Sequence, residues 1–186
     1  AESMSIQASI MAIGTELTSG QVTNRNSAWL AQRLDEMGVA APYHVAVPDD
    51  RAQILDALTL CAERSRWIFV TGGLGPTTDD FTRDVVAQFL DAEMEFHQPS
   101  WARIEDRMTR AGLPVAQSNR SQCFYPRGAR VWDNHAGTAN GFECAWRAGE
   151  ERTGTVFVLP GPPREIAAIW ERLGPDLAGR VQGHSP

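Results

Sequence analysis

The chain contains no lysine: all 17 of its basic residues are arginine. That excludes a Schiff-base amine and the lysine of a G-x-x-x-x-G-K-[ST] phosphate loop. No apolar run approaches the roughly 20 residues needed to span a bilayer, so no membrane partner is expected. The first residues show no basic stretch followed by an apolar one, so no secretory leader is expected either. Cysteine is scarce, and Cys61, Cys123 and Cys144 form no C-x-x-C pair and no zinc-finger spacing with histidine. They read as reduced structural thiols of a cytoplasmic protein. Histidine is equally sparse: His44, His97 and His184 fall in a strand, a helix start and a tail, and only His135 lies in a candidate site loop. Basic excess is missing too. A net charge of −6 argues against a general nucleic-acid binder. A small phosphate-bearing ligand stays open, because backbone N–H groups or a cation can hold its charge locally.

The 186 residues, 42% of them hydrophobic, suit one well-buried core. Residues 5–175 read as a single domain, with residues 1–4 as a leading remnant before a natural start at Met4 and residues 176–186 as a tail. Ile6 to Ile13 reads as a strand ended by Gly14. A helix follows, capped by Asn24 or Asn26, with Trp29, Leu30, Leu34 and Met37 on one face and Gly38 as its stop. Ala41 to Val47 is a second strand, and Asp49 is placed to cap a helix carrying Ile54, Leu55, Leu58 and Ala62. Trp67 to Thr71 is a continuous apolar run, as in a strand buried on both faces. Two helices follow, one marked by Val85, Val86, Phe89 and Leu90, the other starting near Pro99 with Trp101, Ile104 and Met108 inward. Leu113 to Trp132 reads as irregular apart from a strand near Cys123 to Tyr125. Phe142 to Trp146 and Thr155 to Leu159 read as strands, and the last helix starts at Pro163 with Ile166, Ile169, Trp170 and Leu173 inward. This order predicts an α/β fold whose mainly parallel, partly mixed sheet is covered on both faces.

Ligands of such sheets bind beyond the carboxyl ends of the strands. Four segments there are rich in glycine or polar residues. The first, Gly14 to Asn26, offers Thr15, Glu16, Asn24, Arg25 and Asn26. In the second, Gly72, Gly73 and Gly75 let the backbone approach an anion. Pro76, Thr77, Asp79 and Asp80 follow. The two aspartates suit either a helix cap or a hard cation such as Mg²⁺. The third, Asn134 to Phe142, contains Gly137 and Thr138. The fourth, Leu159 to Glu165, is a rigid corner holding Gly161 and Pro162.

The strings GTELTSGQVTNRNS, TGGLGPTTDD, GTANGF and LPGPPREI together resemble the molybdopterin-binding domain family, which includes MoaB and MogA, and are most similar to its CinA-like branch. The resemblance covers roughly residues 5 to 175. It implies a three-layer α/β/α fold, a homo-oligomer (dimer or trimer) and a pocket at these loops. It also implies that Asp80 and Asp49 match the two aspartates that serve the pterin site of MogA-like proteins. CinA-like domains are associated with metal-dependent hydrolysis of ADP-ribose and related pyrophosphates. Asn140 stands where the CinA-like pattern has proline, and Thr18-Ser19 replaces a usually apolar pair. The amidohydrolase domain that follows in full-length relatives, and acts on nicotinamide mononucleotide, has no counterpart here, so no deamidase activity is expected.

Two functions therefore stand open. One is a pyrophosphatase dependent on Mg²⁺ or another divalent cation, with Asp80, Asp49 and Asp79 as catalytic groups and Asp79 and Asp80 on the metal. In that reading Glu16 assists, and Arg25 or Arg120 stabilises phosphate charge. The other is a pterin-handling protein in which the same pocket holds molybdopterin against Asn24, Asn26 and Asp49. An inactive domain kept for oligomerisation is a third, weaker reading.

Overall fold

The computed structural model describes residues 6–183; His184 and the leading residues 1–5 lie outside them. Six strands form one sheet in the order β2-β1-β3-β8-β7-β6. They are β1 (Gln7–Ile13), β2 (Ala40–Val47), β3 (Trp67–Thr71), β6 (Arg130–Trp132), β7 (Gly141–Ala148) and β8 (Arg152–Leu159). The first three and β8 run parallel, while β7 is antiparallel to both neighbours. The sheet is therefore mixed, as the hairpin between β7 and β8 around Gly149 (φ +66) requires. β3 sits between β1 and β8 and is buried along its whole length. That is why its sequence is apolar without alternation. β2 is an edge strand, and its residues alternate between exposed and half-buried.

One helical layer is α2 (Arg25–Glu36) with α6 (Pro163–Gln182), packed through Leu30, Leu34, Ile166, Ile169 and Leu173 onto Ile10, Phe69 and Phe157. Phe69 and Phe157 stack at 4.6 Å on adjacent strands. The opposite layer is α3 (Arg51–Arg64) with α4 (Thr82–Leu90), packed on Met11, Val70 and Val156. Helix, sheet, helix: the expected three layers are present. No helix among the described residues is long and apolar enough to cross a membrane.

Four local expectations are corrected. Asp50, not Asp49, caps α3, accepting from the Gln53 N–H at 2.9 Å. A one-turn helix, α1 (Thr15–Thr18), follows β1 directly. Around the expected strand, found as β5 (Phe124–Pro126), the stretch read as irregular holds a 3₁₀ segment (Gln117–Cys123) and β6. β5 pairs antiparallel with β4 (Met94–Phe96) in a small separate sheet, just before α5 (Gln98–Arg110). Finally, residues 176–182 are not a tail: Leu173 and Leu177 continue the buried face of α6, so the helix runs to Gln182.

The chain leaves β1 toward β2 on one side, then crosses back to place β3 on the other. The crevice between the carboxyl ends of β1 and β3 is thus a topological switch point, where open α/β sheets take their ligands.

Candidate functional site

Four strand ends, of β2, β1, β3 and β8, meet at this crevice and are tied by their own backbone. The Gly14 N–H donates to the Val47 carbonyl at 2.9 Å, and the Gly72 N–H to the Leu159 carbonyl at 3.0 Å. Gly72 has φ +96, and a Cβ there would collide with the Ile13 carbonyl. Only glycine lets the β3 turn pass so close to the β1 end. The turn then feeds α4, whose Thr82 hydroxyl donates to the Gly72 carbonyl at 2.8 Å.

Two lobes open at the crevice. One, of about 360 Å³, is lined by Gly14, Glu16, Asp49, the Gly72–Pro76 turn, Asp80, Gln122, Thr138, Ala139 and Glu165. Its neighbour, of about 560 Å³, is lined by Glu16, Gln21, Asn24, Arg25, Asn26, Thr71 and the Gly161–Pro163 corner. Ile13, Glu16, Gly72, Gly161 and Pro162 line both. The Asn26 amide donates to the Gly161 carbonyl at 2.7 Å and so fastens α2 to that corner. The four sequence segments therefore do converge.

The smaller lobe is acidic. Glu16, Asp49, Asp80 and Glu165 line it, and no cationic side chain does. Three of the four carboxylates have a local support. Asp80 Oδ2 accepts from the Thr77 N–H at 2.9 Å and its hydroxyl at 2.6 Å, so it braces the turn rather than capping α4, whose N-cap makes no side-chain hydrogen bond. Asp49 Oδ2 accepts from the Thr15 N–H at 3.1 Å and its hydroxyl at 3.3 Å. Glu165 accepts from the Asn134 amide at 2.7 Å. Three glycines make room for the acids: a Cβ on Gly14, Gly75 or Gly137 would run into Glu16, Asp80 or Glu165 respectively.

Thr15, Thr77 and Gly137 line neither lobe, and two further expected participants lie elsewhere. Asp79 is exposed and lines neither lobe. Arg120 lays its guanidinium over Phe96 at 4.3 Å and near Trp101 at 5.9 Å. Among the described residues no three acidic, histidine or cysteine side chains are gathered as a preformed metal site. The Asp79–Asp80 pair expected to hold one diverges because Asp80 turns back to Thr77.

Other contributors escaped the sequence reading. Glu165 sits in the first turn of α6, where an acid reads simply as a partner of the helix dipole. Asn134 is fully buried, and Asn140 accepts from its backbone N–H at 3.0 Å while donating to the Ser100 hydroxyl at 3.0 Å. The amide that stands in place of proline thus holds the loop by side-chain bonds. Arg103 donates to the carbonyls of Asn134, Gly137 and Thr138, and Arg107 to those of His135 and Ala136, at 2.7 to 3.2 Å. Burial pushes the Arg103 guanidinium below its ordinary pKa. These two arginines carry no motif; their only signal is a pair spaced four apart on one helix.

Known proteins bear on this geometry. The family described as "Probable molybdopterin binding domain" matches residues 9–179. A CinA-like protein of Dictyoglomus thermophilum is 36% identical over 162 residues, which is 87% of this chain and 38% of the relative. A competence-damage inducible protein (so named) of Clostridium novyi is 37% identical over 166 residues, 89% of this chain and 39% of the relative. The chain thus spans about two fifths of the length of these relatives. The crystal structure of the protein CinA from Thermoplasma acidophilum, described as of unknown function, superposes with a TM-score of 0.81 at 27% identity, covering 93% of this chain and 98% of that one. The tungsten cofactor synthesizing protein MoaB from Pyrococcus furiosus shares the fold, with a TM-score of 0.66 at 18% identity, covering 97% and 98%. With its strands and glycine turns in the expected order, the chain belongs to the molybdopterin-binding domain family, among its CinA-like members.

Proposed function

We propose that the chain binds a nucleotide diphosphate such as ADP-ribose across the two lobes and hydrolyses its pyrophosphate bond with a divalent cation. One observation carries this reading: four carboxylates line the smaller lobe with no cationic side chain beside them. A diphosphate placed there needs a positive counter-charge, and hard carboxylate oxygens are the donors that Mg²⁺ shares with phosphate. Mg²⁺ takes one or two carboxylates plus phosphate oxygens rather than a full protein cage, so Asp80 with Glu16 or Glu165, which line the same lobe, would suit it. A cation held so would polarise the phosphorus centre. The chain's own residues do the rest. Backbone N–H groups of Gly73 to Gly75 and the Arg25 guanidinium neutralise charge on the phosphate oxygens. Asp49, steadied through Oδ2 by Thr15, offers Oδ1 as proton acceptor for the attacking water. Incubation with ADP-ribose and Mg²⁺, Mn²⁺ or Co²⁺ should release AMP, and Asp80→Asn should abolish the release. Absence of AMP with all three cations sinks the proposal for that substrate.

A second reading rests on the larger lobe. Gln21, Asn24 and Asn26 line it together with Glu16, and amides with a carboxylate complement the donor and acceptor edge of a pterin. Calorimetric titration with a phosphorylated pterin separates the two: tight binding without nucleotide turnover favours a molybdopterin-handling protein. We extend either reading to a homo-oligomer, which light scattering would show as a dimer or trimer mass.

A further inference from the structure

Beyond the Pro76–Asp80 turn lies another cavity, of about 670 Å³. Pro76 and Asp80 line both it and the acidic lobe, so this turn is the partition between them. The hydroxyls of Thr77, Thr78, Ser118 and Ser121 line its wall. The first turn of α4 opens on it through Phe81, Arg83 and Asp84, with no side-chain cap to take up the N–H groups there. That end of a helix attracts negative charge.

Arg83 gives the cavity its character. It is 4% exposed, yet it enters no ion pair among the described residues. Nη2 donates to the Leu74 carbonyl at 2.6 Å, while Nε has no partner. The two nearby carboxylates are engaged elsewhere: Asp80 with Thr77, and Asp84 with Arg51 at 3.6 Å. Burial pushes the guanidinium below its ordinary pKa, but arginine stays charged at neutral pH. A buried charge without a carboxylate is costly, and an oxyanion reaching it from the cavity lowers that cost. Arg51, half-exposed and stacked over Phe81 at 4.5 Å, adds a second cation at the rim.

We propose that this cavity is a phosphate subsite that needs no metal, with Arg83 as its buried cation, Arg51 at its mouth and the Ser118 hydroxyl as a further donor. It takes the phosphate of a small molecule. The acidic lobe requires a divalent cation to hold the same group, whereas this cavity is lined by as many arginines as aspartates and keeps Arg83 without an ion pair among the described residues. The inference therefore does not rest on the hydrolytic reading.

The experiment is calorimetric titration of the purified chain with inorganic phosphate in the presence of EDTA. Saturable binding is expected, weakened about tenfold or more in Arg83→Gln, as for loss of a charge-assisted hydrogen bond. Because Arg83 is buried, Ser118→Trp serves as the second variant. It fills the cavity from an exposed position and leaves Arg83 and its bond to Leu74 in place. It should block phosphate binding to the same degree, and phosphate should raise the Tm of the wild type but not of Ser118→Trp. Absence of saturable binding in EDTA overturns the proposal, as does binding that survives Ser118→Trp. Phosphate binding in EDTA without AMP release under metal would overturn the hydrolytic reading alone, and the reverse result would overturn this one alone.

Discussion

Asp80 and Gly75 act as one unit. The Asp80 carboxylate lies where a Cβ on Gly75 would stand, 2.6 Å from Oδ2. Gly75 has no positive φ, so alanine there meets no backbone strain and only the carboxylate must move. Gly75→Ala should therefore lower ADP-ribose turnover by about tenfold while changing stability by less than about 1 kcal/mol, the usual range for a surface change. Gly72→Ala should do the opposite in rank. Its φ of +96 and the facing Ile13 carbonyl leave a side chain no tolerable position, so it should cost about 2 kcal/mol or more in chemical denaturation. Equal stability losses in the two variants would refute this division. The triple-glycine turn itself was legible in the sequence as a place of close approach. Which glycine clears which group was not, because the Ile13 carbonyl and the Asp80 carboxylate arrive through tertiary structure. The Asp79-Asp80 pair shows the same limit: adjacency in sequence said nothing of the Thr77 bond that turns one aspartate back and leaves its neighbour exposed.

Elements divide labour between neighbouring residues in a similar way. Asp50 caps α3, and Asp49 reaches across to Thr15 at the end of β1. Asp50→Ala should lose about 1 kcal/mol of stability, the worth of an N-cap, with turnover kept. Asp49→Ala should keep the cap and lose turnover; thermal melts and AMP release measured on both variants distinguish them. The Asn134–Asn140 loop is held from outside by α5. Arg103→Met removes three donors from its carbonyls and should destabilise by about 2 kcal/mol, since each lost bond leaves a carbonyl under-satisfied. Long periodic elements were legible because their apolar faces repeat: α2, α3, α5, α6 and β3 lie where spacing puts them. The three-residue strands β4 and β6 were not, since so short a run has no period to read; of the short strands only β5 has a counterpart in the sequence reading, near Cys123 to Tyr125. The arginine clamp was hidden for another reason. Its partners lie about thirty residues downstream, so nothing local marks Arg103 and Arg107 as more than the polar side of α5.

At the scale of the whole molecule, the two faces of the sheet answer differently to pH. The layer beneath α3 and α4 buries all three thiols or their neighbours: Cys61 on α3, Cys144 on β7 and Cys123 beside β5. Burial pushes the Cys61 thiol up to about 11 and the Cys144 thiol up to about 12, from 9.0 for an exposed cysteine. Cys123 and Tyr125 move up for the same reason. The opposite layer, closed by Phe69, Phe157 and Trp170, contains no cysteine. Between pH 9 and pH 12 the folded chain keeps thiol protons that the unfolded chain releases. The unfolded state then binds fewer protons, so stability is fully present below pH 9.0 and falls as pH rises through the folded values. Two measurements check this. Iodoacetamide at about pH 8 should label none of the three cysteines until denaturant is added, because the thiolate is the reactive form and is suppressed by burial. The midpoint of urea unfolding should decline steadily above pH 9, and the Cys61→Ala/Cys144→Ala double variant, though less stable for its lost volume, should show a shallower decline. A decline of undiminished slope in that variant would move the cause to Cys123 and Tyr125, and Cys61 and Cys144 would have no part in the alkaline limit of this fold.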